Sequence, residues 1–393
     1  MVISTALTEY NSKKGVDIMK KILLTIAATA LLLGRCTPAT MPDMTPENKK
    51  TAISANEENG YVPLNFQYQK GLWLPYTNYE ELLKGKSEKE FRKAVGERFR
   101  NAAEHGINTV YLHVRPDGYA YYDSDFFPRE TLTDGSYDPL EVMLEEAHDS
   151  GLSAHAWVNP LRLQSVEQME NIPDSFAVKQ LYNSGNADIA GGRLYFHPDS
   201  AEVQALLRDS TAEIVQKYNI DGIHIDDYFY PTTDEEFDAV RFAESGGNDL
   251  KQWRTEAISD MVKAMYDGTK AADGDVLFGI SPQGNLRADY ESQYADVKRW
   301  LSEDGFCDYM IPQIYYGFNN ETLPFLPTLE EWTSLPKSKN VKLIIGLGAY
   351  KQGKEDKWAG AAGESEWLES DDVIERQIKA VEDSAADGYA LYY

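Results

Sequence analysis

From Gln67 to Tyr393 the chain alternates short apolar runs with amphipathic stretches at a regular beat, and few folds accommodate that pattern. Strands are predicted over residues 71–75, 107–114, 152–158, 222–226, 276–281, 307–316, 341–347 and 387–393. Helices are predicted between them. Residues 88–105 place Phe91, Val95 and Phe99 on one face, with Gly106 as the stop signal. Residues 139–150 open on Pro139 and are followed by Gly151. Further helices are predicted over residues 201–218, 247–272, 290–302, 329–335 and 372–386, and Pro312 suits a strand end or bulge. Eight strand–helix beats without an antiparallel hairpin signal predict an α/β fold of the (β/α)8 TIM-barrel type. An open doubly wound sheet is the alternative, and the lack of a Gly-rich phosphate loop after the first strand counts against it. No helix follows the eighth strand, so the barrel either lacks its last helix or has that gap covered by the N-terminal segment.

The fourth beat carries the densest chemistry: Asp221-Gly-Ile-His-Ile-Asp-Asp-Tyr-Phe-Tyr-Pro231. Alternation puts Ile223 and Ile225 on one face of the strand and His224 and Asp226 on the other. A face bearing His and Asp is costly to bury unless the groups are paired or in use. Asp227 follows at once, so two carboxylates stand at the carboxyl end of a strand, where α/β sheets and barrels bind ligands. A salt-bridged turn is the plainer reading.

Other strand ends add polar groups. Asp117 joins Asp226 and Asp227 as a catalytic candidate. Arg115, Trp157, Asn159, His224, Tyr228, Tyr230, Gln283, Gln313 and Tyr315 are candidates for holding a substrate. Carboxylates, amides and aromatic rings together suit a sugar, whose C–H faces stack on aromatic faces. Aromatics form 12% of the chain, with 25 Tyr and 7 Trp. The net charge of −26 is spread along the sequence, which argues against nucleic acid or an anionic membrane as partner and suits a neutral substrate.

Glycoside hydrolysis needs one ionised carboxyl and one with a raised pKa. Asp226 is the candidate nucleophile, with His224 expected to hydrogen-bond it, and Asp227 or Asp117 is the candidate acid. His113 and His155 read as satisfied core histidines. Two readings compete with a hydrolase. One is a glycan-binding barrel without turnover, favoured by the absence of Glu at the strand ends. The other is a metal-dependent deacetylase in which His113, His155 and His224 converge, although 6 His in all is a thin supply of ligands. No metal and no cofactor are expected.

The N-terminal region reads differently. Met19-Lys-Lys21 and the apolar run of residues 22–33 resemble a bacterial export signal, with residues 1–18 as an overrun before the true start. Leu33-Gly-Arg-Cys36 resembles a lipoprotein cleavage box apart from Arg35, so a lipid tether through Cys36 competes with ordinary cleavage nearby. The expected product is exported to the periplasm or cell envelope. Residues 1–36 are then overrun plus signal, 37–65 a linker and 66–393 the barrel domain. Two cysteines so placed argue against a disulfide framework, and Cys307 is expected to be buried.

Five motifs occur in order: Gly106-Ile-Asn-Thr-Val-Tyr-Leu-His-Val-Arg-Pro-Asp-Gly118, His155-Ala-Trp-Val-Asn-Pro160, the fourth-beat motif, Phe278-Gly-Ile-Ser-Pro282 and Asp308-Tyr-Met-Ile-Pro-Gln-Ile-Tyr315. In combination they resemble the glycosyl hydrolase-like family 10, a bacterial envelope family, over residues 66–393. The resemblance implies a TIM barrel that hydrolyses a glycan, with peptidoglycan strands lacking stem peptides as one substrate class. Related α-glycosidase clans carry their nucleophile Asp after an Arg-x-Asp pattern on the fourth strand. By that resemblance Asp226 inherits the role, although His224 stands where the Arg would be.

Overall fold

In the computed structural model, residues 60–393 are described, so the export signal, Cys36 and most of the linker lie outside the described residues. The main sheet has strands β1 (Gln69–Leu74), β2 (Thr109–Arg115), β3 (Ser153–Val158), β6 (Gly222–Ile225), β7 (Leu277–Ile280), β8 (Tyr309–Met310), β9 (Lys342–Leu343), β10 (Ile345–Leu347) and β11 (Gly388–Tyr392). They are ordered β10-β11-β1-β2-β3-β6-β7-β8-β9, and every pairing is parallel. β9 and β10 are consecutive pieces of one run interrupted at Ile344, so the two ends of the sheet meet there and the barrel closes. This is the predicted TIM barrel.

The excursion after β3 was not anticipated to hold structure, and the helix predicted over residues 290–302 is two, Leu286–Ser292 and Val297–Ser302. β4 (Ala187–Ala190) and β5 (Arg193–Phe196) form an antiparallel hairpin in the excursion after β3. Gly191 and Gly192 both have positive φ at its turn, the conformation a two-residue hairpin demands. The Gly-Gly pair was the available signal.

Local chemistry starts and stops the first two long helices where the sequence indicates. Asp138 caps Pro139–Asp149 by accepting from the backbone N–H groups of Leu140 and Glu141 at 2.8 and 3.4 Å. Ser87 and Glu90 form a capping box on Glu88–Glu104. Ile223 and Ile225 join the large apolar cluster shared with these helices, as the strand alternation predicts.

The barrel interior is a separate cluster built on Trp73, Tyr111, Trp157 and Tyr309, and His155 and His224 pack among these rings. Two glycines make room for them. A Cβ on Gly222 would lie 2.4 Å from the His155 ring, and one on Gly279 would lie 1.8 Å from the Tyr309 ring. Gly279→Ala is therefore expected to lower the unfolding free energy by about 1–3 kcal/mol through overpacking, read by urea denaturation. An unchanged midpoint would mean that Tyr309 has room to retreat.

Candidate active site

The carboxyl ends of the strands surround a cavity of about 400 Å³. Every beat but that of β7 supplies part of its lining: Trp73 from β1, His113 from β2, Trp157 from β3, Asp226 and Asp227 after β6, Gln313 and Tyr315 after β8, Tyr350 after β10 and Tyr392 from β11. Tyr76, Tyr228 and Arg162 close the rim. Trp157, Asp226, Asp227, Tyr228, Gln313 and Tyr315 are thus brought together as the sequence suggested.

β6 ends at Ile225, so Asp226 and Asp227 have left the strict alternation of the strand and both reach the cavity. Burial, and then the neighbouring Asp227, push the Asp226 carboxyl well above its usual range; the Tyr228 backbone N–H, the Arg162 charge and the Trp157 indole oppose this. Asp227 is raised to about 6 by burial, against the Gln313 amide and its own backbone. Gln313 donates through Nε2 to Asp227 Oδ1 at 3.4 Å and also reaches Ser281. With Asp227 ionised, the buried Asp226 is the harder of the two to ionise, so the pair retains one proton across a span of pH. One protonated and one ionised carboxyl in one cavity can serve as an acid and a base.

Aromatic rings form the opposite wall. Tyr315 stacks on Tyr392 with centroids 6.0 Å apart and meets Trp73 and Tyr350 edge-on. Trp157 stacks on His113 at 3.6 Å. His113 donates from Nε2 to Asn159 Oδ1 at 3.2 Å, and Asn159 in turn donates to the Pro116 carbonyl. Asn159 is therefore buried behind His113 rather than lining the cavity. His113, read from sequence as a core residue, does line it.

His224 does not hydrogen-bond Asp226 as expected. Its Nε2 accepts from Trp73 Nε1 at 3.0 Å, which leaves the proton on Nδ1, 3.2 Å from the Tyr309 hydroxyl. Tyr309 is also 2.7 Å from His155 Nδ1, and His155 Nε2 is 3.0 Å from Ser153. Burial pushes both histidines down, so they are neutral parts of the barrel interior. With their ring nitrogens engaged by Trp, Tyr and Ser, His155 and His224 are not turned toward a shared ligand. Among the described residues, no group of three or more His, Cys, Asp or Glu is placed to hold a metal ion.

Other candidates lie off the cavity. Arg115 is buried over the Phe127 ring at 4.4 Å. Asp117 lies 3.6 Å from Arg193 and accepts from the Tyr119 backbone N–H. Gln283 sits beside Gln313 in an isolated bridge. Tyr230 is turned into a buried network, donating to Asp238, which is held by Arg254. Trp73, Tyr76, Arg162 and Tyr392 are cavity residues that the motif reading missed.

The match to known families is extensive. Residues 70–360 match the model of the family described as glycosyl hydrolase-like 10. The chain belongs to that family. The chain is 28% identical over 374 residues to "Glycosyl hydrolase DigH" of Escherichia coli K12, covering 84% of this chain and 83% of that protein. It is 31% identical over 296 residues to "Glycosyl hydrolase YngK" of Bacillus subtilis 168, covering 68% of this chain and 58% of that protein. Among solved structures, an α-L-fucosidase isoenzyme 2 from Paenibacillus thiaminolyticus superposes with a TM-score of 0.52 at 13% identity, over 83% of this chain and 46% of that one. A β-galactosidase from Rahnella sp. R3 gives 0.52 at 11%, over 84% and 51%. The chain spans about half the length of these two structures. At such identities the likeness shows the barrel fold alone, and this glycosyl hydrolase-like family 10 chain has a glycosidase-type barrel.

Proposed function

We propose that this protein hydrolyses O-glycosidic bonds in a bacterial cell-wall glycan, with peptidoglycan strands lacking stem peptides as the leading substrate class. The observation that carries the reading is the Asp226–Asp227 pair, Asp226 buried and Asp227 partly so, facing a cavity lined by aromatic rings. In the proposed reaction the protonated carboxyl donates to the glycosidic oxygen as the anomeric C–O bond breaks. The ionised carboxyl stabilises the positive charge developing on the sugar, by charge or by direct attack. Water then supplies hydroxide to the anomeric carbon and returns a proton to the pair, so one water is consumed per bond cleaved. The proposed setting is the periplasm or cell envelope after export.

The pair dictates the pH profile. Activity is expected to fall as pH drops through about 6, where Asp227 takes up its proton, and to fall again at higher pH, where the retained proton is lost. Gln313 stabilises the ionised Asp227, so Gln313→Leu should move the acid limb of kcat/KM upward by about half to one pH unit. A limb that stays in place would remove Asp227 from the essential ionisation. A binding barrel without turnover would instead retain glycan and release no product at any pH.

A further inference from the structure

We propose that Arg162 selects an acidic sugar, docking its guanidinium on a carboxylate of the substrate glycan; this rests on the glycosidase reading and names the substrate chemistry of the same cavity. Arg162 is the one Lys or Arg among the described residues that line the cavity, in a chain whose net charge is −26. Its backbone is firmly placed. Phe196 N–H donates to the Leu161 carbonyl at 2.9 Å and Leu163 N–H to the Leu194 carbonyl at 2.9 Å, so residues 161–163 run as an extra edge beside β5. Leu161 and Leu163 are buried in the core, and alternation turns Arg162 the other way.

The guanidinium lies over the Tyr228 ring at 5.1 Å, with the Tyr76 phenol as its other neighbour in the cavity lining. Those neutral partners hold its plane without neutralising it. Asp226 and Asp117 act on it through space, and Asp117 is closer to a partner of its own in Arg193. A half-buried arginine held by a ring and a phenol keeps part of its planar fork for a carboxylate, the geometry that guanidinium matches with two parallel hydrogen bonds. A neutral sugar would leave that charge desolvated and uncompensated. The expectation of a neutral substrate drawn from net charge is thereby revised: the overall charge describes the surface, whereas this cavity holds its own cation.

The test uses glycan strands stripped of stem peptides, with free lactyl carboxylates, and the same strands after chemical reduction of those carboxylates to alcohols. Binding of both is measured by calorimetry on the full chain carrying Asp226→Asn, so that turnover does not intervene. The carboxylate form should bind about 10- to 100-fold tighter, with the preference shrinking at high salt. Adding Arg162→Gln should narrow the preference to within about threefold. Arg162→Lys, which keeps the charge without the fork, should fall between. Unchanged thermal unfolding of the Gln variant would show that the loss is not one of folding. Equal binding of the two forms, or a preference that survives Arg162→Gln, overturns the role of Arg162 and leaves the glycosidase reading standing. Failure to bind either form overturns both.

Discussion

Asp226→Asn is expected to reduce glycan cleavage by about a thousandfold or more while the protein still folds and still binds glycan. Asn preserves the shape of the carboxyl and its contact with the Tyr228 backbone N–H, at 3.4 Å in the wild type. It removes the group that shares a proton with Asp227, so the pair can no longer supply an acid and a base together. Asp227 should stay raised, because burial rather than the charge of Asp226 is what holds it up. The loss should therefore fall on kcat, read with a reducing-end assay, rather than on affinity read by calorimetry. A variant that keeps a tenth or more of wild-type turnover would shift the chemistry to other residues.

Asp221→Ala is expected to cost about 3–5 kcal/mol of stability, the largest effect on folding of any single change in the motif. The fully buried Asp221 carboxylate collects four partners. Tyr61 hydroxyl and Leu64 N–H donate to Oδ1 at 2.8 and 2.7 Å, and Ala154 N–H and His148 Nε2 reach Oδ2 at 2.6 and 3.0 Å. Alanine removes the acceptor that these donors share and leaves Tyr61 and His148 only the bond between them, at 2.8 Å. Because Asp221 begins the strand that Asp226 follows, it lies at the opposite end of the barrel, roughly 16 Å away along the strand. Denaturant melts should show the loss, Asp221→Asn should recover part of it, and the folded fraction should remain active at low temperature. A mild effect on stability with a large one on turnover would reverse the roles assigned to the two ends of the motif.

Much of the fold could be read because strand and helix patterns are local. Each apolar run lies between capping and stop residues such as Asp138, Pro139 and Gly151. The interruption at Ile344 could not be read, since it arises from pairing with β8 on one side and β11 on the other. The site was legible where a strand end aims a side chain upward, as at Trp157, Asp226 and Gln313. It failed where a partner comes from across the barrel. His224 has the parity foreseen, but Trp73 and Tyr309 occupy it, from strands far away in the chain. Tyr230 looked like a cleft aromatic beside the acids, yet Arg254 and Asp238, which capture it, carry no local signal of that pairing. Arg162 was hidden in the excursion after β3, and only the hairpin of β4 and β5 gives it a fixed direction.

The most direct test of the account is digestion of purified glycan strands in water enriched in heavy oxygen, with products read by mass spectrometry. Hydrolysis at Asp226 and Asp227 predicts shorter glycans from the wild-type protein, each new reducing end carrying one heavy oxygen, and none above background from Asp226→Asn. Uncut strands, or shorter glycans whose new ends lack the label, would contradict hydrolysis at this site.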